Sequence, residues 1–318
     1  MSIIKPTIER DLPRIGLPDL PDKEELVSRL PNLFIIGASK SGSSALHAYL
    51  NAHPDIRMSD EKEPCFFVKQ EELKATWPIM ARNACSHDWE AYLSLWTDGE
   101  EAKYRGESSV YYSQTPHRSG IPERIAAVAP SARIIYTIRE PVSRAIGHYW
   151  QRQKEFQEPL SLDRAIRENA LYRDTSDYAL QIKAYLEFFD QSQIFVISAE
   201  NLRVNRRETL SEILNWLGLP SYQFTDSEIT ERHKSPTTTR RQRFPLVKTL
   251  RDTAVWAKLR EGLPERAMGM LRSAATIEFE KKEVDESSAR SYLNEYLKPR
   301  VKELEALLGR SFDEWEKC

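Results

Sequence analysis

The sequence has few cysteines, little net charge and no long apolar segment, and each of these features excludes a class of protein. The three cysteines among the 318 residues, Cys65, Cys85 and Cys318, are widely spaced and form no C-x-x-C pair. We therefore expect neither a disulfide framework nor a bound metal. The formal net charge of −2 provides no overall basic field that would attract nucleic acid. No apolar run approaches the roughly 18 residues that a transmembrane segment needs.

The first 31 residues are rich in proline, with five of the 18 prolines of the chain. Such a segment cannot sustain long helices or central strands. We expect residues 1–30 to form an extended arm on the domain or on a partner, and residues 31–318 to form a single domain. Charges also interrupt the segment where a secretory signal would have an apolar core, so a cytoplasmic location is expected.

Strand-like and helix-like patterns alternate through the rest of the chain. Strands are predicted at residues 33–36, 132–139 and 193–198. Helices are predicted at residues 45–50, 141–154, 161–169, 176–189, 210–217 and 292–308. This alternation predicts an α/β fold with a central, mainly parallel sheet and helices on both faces.

The first predicted strand runs into a glycine- and serine-rich loop, GASKSGSS, at residues 37–44. A strand, such a turn and a helix together form a phosphate site, because the helix N-terminus presents backbone N–H groups. A Walker A loop has a lysine directly after its second glycine. Here Ser43 occupies that position, and Lys40 lies two residues before Gly42. The loop therefore predicts a phosphate ligand but disfavours a nucleotide-dependent kinase, which needs that lysine.

Three further segments accompany this loop: residues 62–67 (KEPCFF), 106–111 (GESSVY) and 136–149 (YTIREPVSRAIGHY). In this order they resemble the motifs of sulfotransferases that use 3′-phosphoadenosine-5′-phosphosulfate (PAPS). The resemblance is to the glycosaminoglycan-type branch, with heparan sulfate N- and 3-O-sulfotransferases and bacterial relatives, and covers roughly residues 31–318. It implies a P-loop-like phosphosulfate loop and sulfuryl transfer to a hydroxyl or amine of a carbohydrate, lipid or natural-product acceptor. The product of PAPS would be 3′,5′-adenosine bisphosphate.

The resemblance also implies roles for individual residues. Lys40 would stabilise charge on the leaving 5′-phosphate, Glu63 would be the general base, and Arg139 would bind the 3′-phosphate. The rival base is His148, in the helix of the 3′-phosphate motif. The 5′-phosphate would be held by the backbone amides and hydroxyls of the loop: Ser41, Gly42, Ser43, Ser44 and Ala45.

A basic stretch at residues 232–251 contains seven Lys or Arg and no acidic residue. By resemblance, we expect a lid at residues 232–262 that covers the nucleotide through Lys234, Arg240 and Arg241. The same stretch is also compatible with a solvated face or with a surface that binds an anionic partner.

Two positions depart from the family pattern. Gly147 stands where the family usually has a serine, so Arg139 and the basic stretch are expected to carry more of the 3′-phosphate binding. Glu107 stands where glycosaminoglycan enzymes commonly have a lysine, and an acid facing the acceptor would repel a polyanionic sugar. Besides the kinase, the other alternative is an inactive sulfotransferase-fold protein that binds a partner. The joint retention of Lys40, Glu63 and Arg139 argues against that alternative.

Overall fold

The computed structural model describes residues 12–20, 28–99, 101–155, 158–230, 238–242, 276–280 and 284–316. Their central feature is a sheet of five parallel strands in the order β2-β3-β1-β4-β5. The strands are β1 (Leu33–Ile35), β2 (Ile56–Met58), β3 (Tyr104–Ser108), β4 (Arg133–Ile138) and β5 (Ile194–Ser198). Parallel neighbours require crossover connections, which the intervening helices supply. The predicted α/β class is confirmed.

Helices follow the strands along the chain. They are α1 (Ser43–Leu50), α2 (Gln70–Thr76), α3 (Pro78–Ala81), α4 (Trp89–Leu93), α5 (Ile121–Val128), α6 (Pro141–Glu155), α7 (Leu162–Glu168), α8 (Leu171–Asp174), α9 (Tyr178–Leu186), α10 (Ala199–Val204), α11 (Arg206–Trp216) and α12 (Ser287–Leu308). Local signals explain several ends. The Asp177 side chain caps α9 by accepting a hydrogen bond from the Leu180 N–H at 3.1 Å. After α11, Gly218 adopts a left-handed conformation, with φ of 63°.

The side chains of the central strands alternate between two hydrophobic cores. Phe34 and Ile134 face one core, which also contains residues of α5 and α9. Leu33, Ile35 and Ile135 face the other, with residues of α1 and α11. Because successive strand residues point to opposite faces, both faces of the sheet are covered and the central strands β1 and β4 are largely apolar.

Part of the proline-rich segment lies against this domain. Leu12 and Leu17 are buried in the first of the two cores. The Trp89 indole N–H donates a hydrogen bond to the Pro18 carbonyl at 2.8 Å. Residues 1–11 and 21–27 lie outside the described residues, and the domain boundary at residue 30 remains a prediction.

Two strands form an antiparallel ribbon, the first inside the basic stretch and the second after it in the sequence. It consists of β6 (Thr238–Gln242) and β7 (Thr276–Glu280), and β6 lies close to α6. In its register Arg240 is opposite Glu278 and Arg241 is opposite Ile277. Lys234 lies outside the described residues, and the lid remains a prediction.

Among the helices that the structure describes, none combines the length and the apolar character that a bilayer crossing requires.

The central strands should dominate stability. Ile134 is fully buried, whereas Ile79 is 77% exposed and provides a matched control. Ile134→Ala should lower the free energy of unfolding by about 2–5 kcal/mol, because it removes buried methyl groups and leaves a cavity. Ile79→Ala should change it by less than about 0.5 kcal/mol. Urea denaturation of both variants measures the difference, and equal losses would contradict this account of the core.

Candidate active site

The glycine- and serine-rich loop is fixed at the carboxyl end of β1 by hydrogen bonds to β4. The Ala38 N–H donates to the Thr137 carbonyl at 2.5 Å, and the Thr137 N–H donates to the Gly37 carbonyl at 2.8 Å. Gly37 has a φ of 133°, and a Cβ at this position would clash with the Ser113 Oγ. The loop thus depends on glycine here. It lies at the edge of the sheet where parallel α/β proteins bind ligands.

The loop ends in an arrangement suited to an oxyanion. Gly42, with a φ of 85°, precedes α1, which has no side-chain cap. The first N–H groups of a helix lack intrahelical partners and attract anions. The Ser41 and Ala45 amides donate within the loop at 3.2 and 3.0 Å. A phosphate would therefore depend mainly on the amides of Gly42, Ser43 and Ser44.

The Ser41 hydroxyl is a further polar group in this loop. The side chain is fully buried, and its oxygen has no hydrogen-bond partner in the described part of the chain. Since buried hydroxyls normally have a partner, this oxygen marks a place where a bound group would satisfy it.

The side chains of Lys40 and Arg139 both lie next to Gly147. A Cβ built on Gly147 would lie 3.6 Å from both Cβ and Cγ of Lys40 and 4.0 Å from the Arg139 Nη1. The aliphatic part of Lys40 therefore crosses α6 at the position that carries no side chain. The side-chain stem of Lys40 and the Arg139 guanidinium, which the resemblance assigned to the 5′- and the 3′-phosphate, thus lie next to the same position of α6.

The N-terminus of α6 is occupied by a side chain of its own. The Glu140 carboxylate accepts hydrogen bonds from the N–H groups of Val142 and Ser143 at 2.8 and 2.7 Å. An anion at this end would rely on the Arg139 guanidinium, which is 37% exposed and lies 4.0 Å from the Glu200 carboxylate. Arg139 is thus oriented by an acid yet accessible.

Arg144 and His148 lie beneath this surface. Arg144 is buried and donates to the Ser176 Oγ and to the Tyr172 carbonyl, each at 2.6 Å. Its Nη1 is 3.3 Å from the His148 Nδ1. Burial, followed by the charges of Arg144, Arg152 and Lys40, lowers the pKa of His148 well below its usual value. An imidazole held neutral in this way is a weak base, which disfavours His148 as the rival to Glu63.

Glu63 is held at the carboxyl end of β3, the neighbour of β1. It has a left-handed backbone, with φ of 69°, and its N–H donates to the Ser108 carbonyl at 2.9 Å. The Val110 N–H donates to the Glu63 Oε2 at 2.8 Å, and the Lys62 ammonium contacts Oε1. The side chain is 14% exposed. A carboxylate in this position is oriented by backbone bonds and still accessible to a substrate.

Cys65, two residues further on, is buried and carries a free thiol. Burial, with the nearby charges of Glu63 and Glu107, raises the pKa of this thiol well above its usual value. A thiol of this kind is inert, so Cys65 serves in packing rather than as a nucleophile.

Glu107 does not face an acceptor, so the interpretation of this residue as a repulsive acid is wrong. It is fully buried within β3, and its Oε2 accepts a hydrogen bond from the Tyr92 hydroxyl at 2.8 Å. Burial raises the pKa of Glu107 from 4.5 to about 8. The alternation of β3 explains the difference, because the side chain of Glu107 points into a core lined by aromatic residues.

His47 was missed by the sequence analysis. Its Nδ1 lies 2.9 Å from the Ser108 Oγ. Burial, followed by the charge of Lys62, lowers the pKa of His47 to about 4. The four-residue spacing from Ser43 places His47 on the same face of α1 and could have indicated its proximity to the site.

No group of His, Cys, Asp and Glu residues that could hold a metal ion occurs in the part of the chain that the structure describes.

A family model described as the sulfotransferase family matches residues 31–226, more than half of the chain and including the loop, Glu63 and Arg139. The chain belongs to the sulfotransferase family. The segment at 31–226 ends before the basic stretch, so the match does not extend to the predicted lid.

Curated sulfotransferase relatives are identical to this chain at about a quarter of the aligned positions. The human bifunctional heparan sulfate N-deacetylase/N-sulfotransferase 3 is 27% identical over 236 residues, which cover 68% of this chain and 25% of the relative. The mouse heparan sulfate glucosamine 3-O-sulfotransferase 3A1 is 28% identical over 219 residues, covering 66% of this chain and 50% of the relative. The chain thus spans half or less of the length of these relatives.

Among solved structures, a sulfotransferase from Alicyclobacillus acidocaldarius is similar in fold. Its TM-score is 0.61 at 24% sequence identity, and the superposition covers 90% of this chain and 99% of that chain.

The buried Glu107 of this sulfotransferase should make stability depend on pH. Its pKa is higher in the folded state, at about 8, than the usual 4.5. The contribution of protonated Glu107 to the free energy of unfolding is therefore complete below about pH 4.5 and is lost as the pH rises through about 8. Between pH 5 and pH 9 the wild type should lose on the order of 4 kcal/mol that Glu107→Gln retains. Urea denaturation at both pH values measures this. The exposed Glu71 provides a control, since Glu71→Gln should follow the wild type.

Proposed function

We propose that this sulfotransferase transfers a sulfuryl group from PAPS to a hydroxyl or amine of a carbohydrate, lipid or natural-product acceptor. The observation that carries the proposal is that the Lys40 stem and the Arg139 guanidinium both lie next to Gly147. Two cations next to an amide-rich loop suit a donor with phosphate groups at two separate positions. Glu63 supplies a proton acceptor at the same edge of the sheet.

The loop and its two cations would bind the donor. PAPS supplies an activated sulfuryl group whose leaving group is a 5′-phosphate. The amides of Gly42, Ser43 and Ser44 and the buried Ser41 hydroxyl would hold that phosphate. Lys40 would stabilise the negative charge that develops on it, which is where electrostatic stabilisation lowers a barrier most. Arg139, with its planar fork of donors, would hold the 3′-phosphate.

Glu63 would accept the proton that leaves the acceptor when the new bond to sulfur forms. Its Oε2 is fixed by the Val110 N–H, and its Oε1 is paired with Lys62. These contacts orient the carboxylate before an acceptor binds, so little reorganisation accompanies proton transfer. Because the carboxylate also remains partly exposed, an acceptor can reach it from solvent.

For the acceptor, only the broad chemical class is proposed. The names of the relatives include heparan sulfate and glucosamine, which favours a glycan. Glu107 gives no argument against such an acceptor, because it is buried in the core. We also propose a cytoplasmic location, because the three widely spaced cysteines of the sequence favour a reducing compartment.

The donor should be identified by its effect on stability. Addition of 3′,5′-adenosine bisphosphate should raise the melting temperature, because a ligand that binds only the folded state stabilises it. ATP with magnesium should raise it much less, since Ser43 occupies the position of the Walker lysine. Differential scanning fluorimetry with both ligands measures this. Equal or greater stabilisation by ATP would favour the kinase alternative.

The base is tested by Glu63→Gln, which keeps the size of the side chain but removes the proton acceptor. Turnover of PAPS should fall by about 10²- to 10⁴-fold. The affinity for the bisphosphate should stay nearly unchanged.

The neighbouring Glu61 provides the matched control for that experiment. It lies two residues before Glu63, and Glu61→Gln should retain the wild-type rate. Wild-type turnover by Glu63→Gln would show that the base has been misassigned. Loss of turnover in both variants would point to a general effect of charge in this segment.

A further inference from the structure

A hydrogen bond links the helix after the phosphate loop to the strand that holds Glu63. It joins the His47 Nδ1 on α1 to the Ser108 Oγ at the end of β3, at 2.9 Å. We propose that His47 is a positioning residue, whose neutral imidazole accepts the Ser108 hydroxyl hydrogen bond and thereby holds Glu63 in place for proton transfer. This inference rests on the proposed function, because it concerns the same site.

Ser108 and its two successors determine the position of Glu63. The Ser108 carbonyl accepts the Glu63 N–H at 2.9 Å. The Val110 N–H donates to the Glu63 carboxylate at 2.8 Å, and the Ser109 Oγ accepts the Cys65 N–H at 3.2 Å. The backbone and the carboxylate of Glu63 are therefore held by Ser108 and Val110, and Ser109 between them holds Cys65. A shift of this strand end would displace the base as a whole.

The Ser108 hydroxyl needs its partner because Ser108 is completely buried. A buried hydroxyl left without a hydrogen bond costs about 1–3 kcal/mol. His47 thus stabilises the observed position of the strand end. It does so from the helix whose N-terminus forms the phosphate cradle, so the donor half and the base half of the site are joined through one contact.

The surroundings of His47 keep the ring neutral. Burial and the charges of Lys62 and Arg57 oppose protonation, and only the hydrogen bond to the Ser59 backbone favours it. A neutral imidazole has one donor and one acceptor nitrogen. With Nδ1 as the acceptor and the Ser108 hydroxyl as the donor, the N–H of the neutral ring lies on Nε2.

A neutral His47 ring also leaves the ion pair of Lys62 and Glu63 undisturbed. The Lys62 ammonium contacts the Glu63 Oε1 and is one of the charges that act on His47. A protonated ring would repel this ammonium and would have to donate at Nδ1, which would turn the Ser108 hydroxyl around. A neutral acceptor at position 47 satisfies both contacts at once.

The test compares variants that keep or remove the acceptor atom. In His47→Asn the amide oxygen lies near the position of Nδ1, whereas His47→Leu offers no acceptor. His47→Leu should lower kcat by about 10- to 100-fold through misplacement of the base. Its Kd for 3′,5′-adenosine bisphosphate, measured by calorimetry, should stay within about twofold. His47→Asn should recover most of kcat.

A double-mutant cycle separates this contact from general destabilisation. Ser108→Ala should lower kcat as His47→Leu does, and the double variant should be no worse than the worse single variant. The control is His87→Leu, because His87 is exposed and its Nδ1 also contacts a serine, the Ser86 Oγ, at 3.2 Å. That variant should keep the wild-type kcat.

Three results would overturn the proposal: wild-type kcat in His47→Leu, equal impairment in His47→Asn, or full additivity in the double variant. If the wild type itself transfers no sulfuryl group from PAPS, the proposed function fails instead. Nitrogen-15 NMR of the histidine rings then tests the hydrogen bond between His47 and Ser108 without relying on activity. An unprotonated Nδ1 at pH 7 whose resonance moves in Ser108→Ala supports it, and a protonated Nδ1 contradicts it.

Discussion

The pairing of β1 with both β3 and β4 is the constraint on which the rest of the site depends. Because all three strands are parallel, their carboxyl ends meet at one edge of the sheet. The phosphate loop follows β1, Arg139 follows β4, and the end of β3 holds Glu63. The sheet alone therefore brings these three segments, which are distant in sequence, to the same place. The two hydrophobic cores make this sheet rigid enough to serve as the frame.

Within that frame, the loops are held by backbone geometry more than by side chains. Gly37 and Gly42 adopt conformations that L-residues disfavour, and Lys40 and Glu63 adopt left-handed backbones although they carry side chains. Such backbones persist only where surrounding contacts hold them, and they cluster at functional sites. It is consistent with this pattern that the two residues assigned to catalysis share it.

Much of this was predictable from the sequence, and the exceptions have physical reasons. The apolar runs that became β1, β4 and β5 are buried on both faces, so their composition alone indicates strands. Strand β2 has three residues with a central arginine, which is too short and too polar for a periodic signal. The phosphate loop was recognisable because its spacing is local. The spacing of His47 and the alternation around Glu107 indicate only the face of the helix or strand on which each residue lies. The contact of His47 with Ser108, and the burial of Glu107, also depend on which elements pack against that face.

The bare surface at Gly147 has a consequence for the entropy of catalysis. A free lysine side chain samples many rotamers, and fixing one costs up to about 2 kcal/mol. The Lys40 stem rests on α6 with its Cβ and Cγ in van der Waals reach of where a Gly147 side chain would begin. Part of its rotational freedom is therefore already lost when the chain folds. The ammonium then has fewer rotamers to sample before it meets a developing charge, so the absence of a side chain at Gly147 contributes to the order of Lys40.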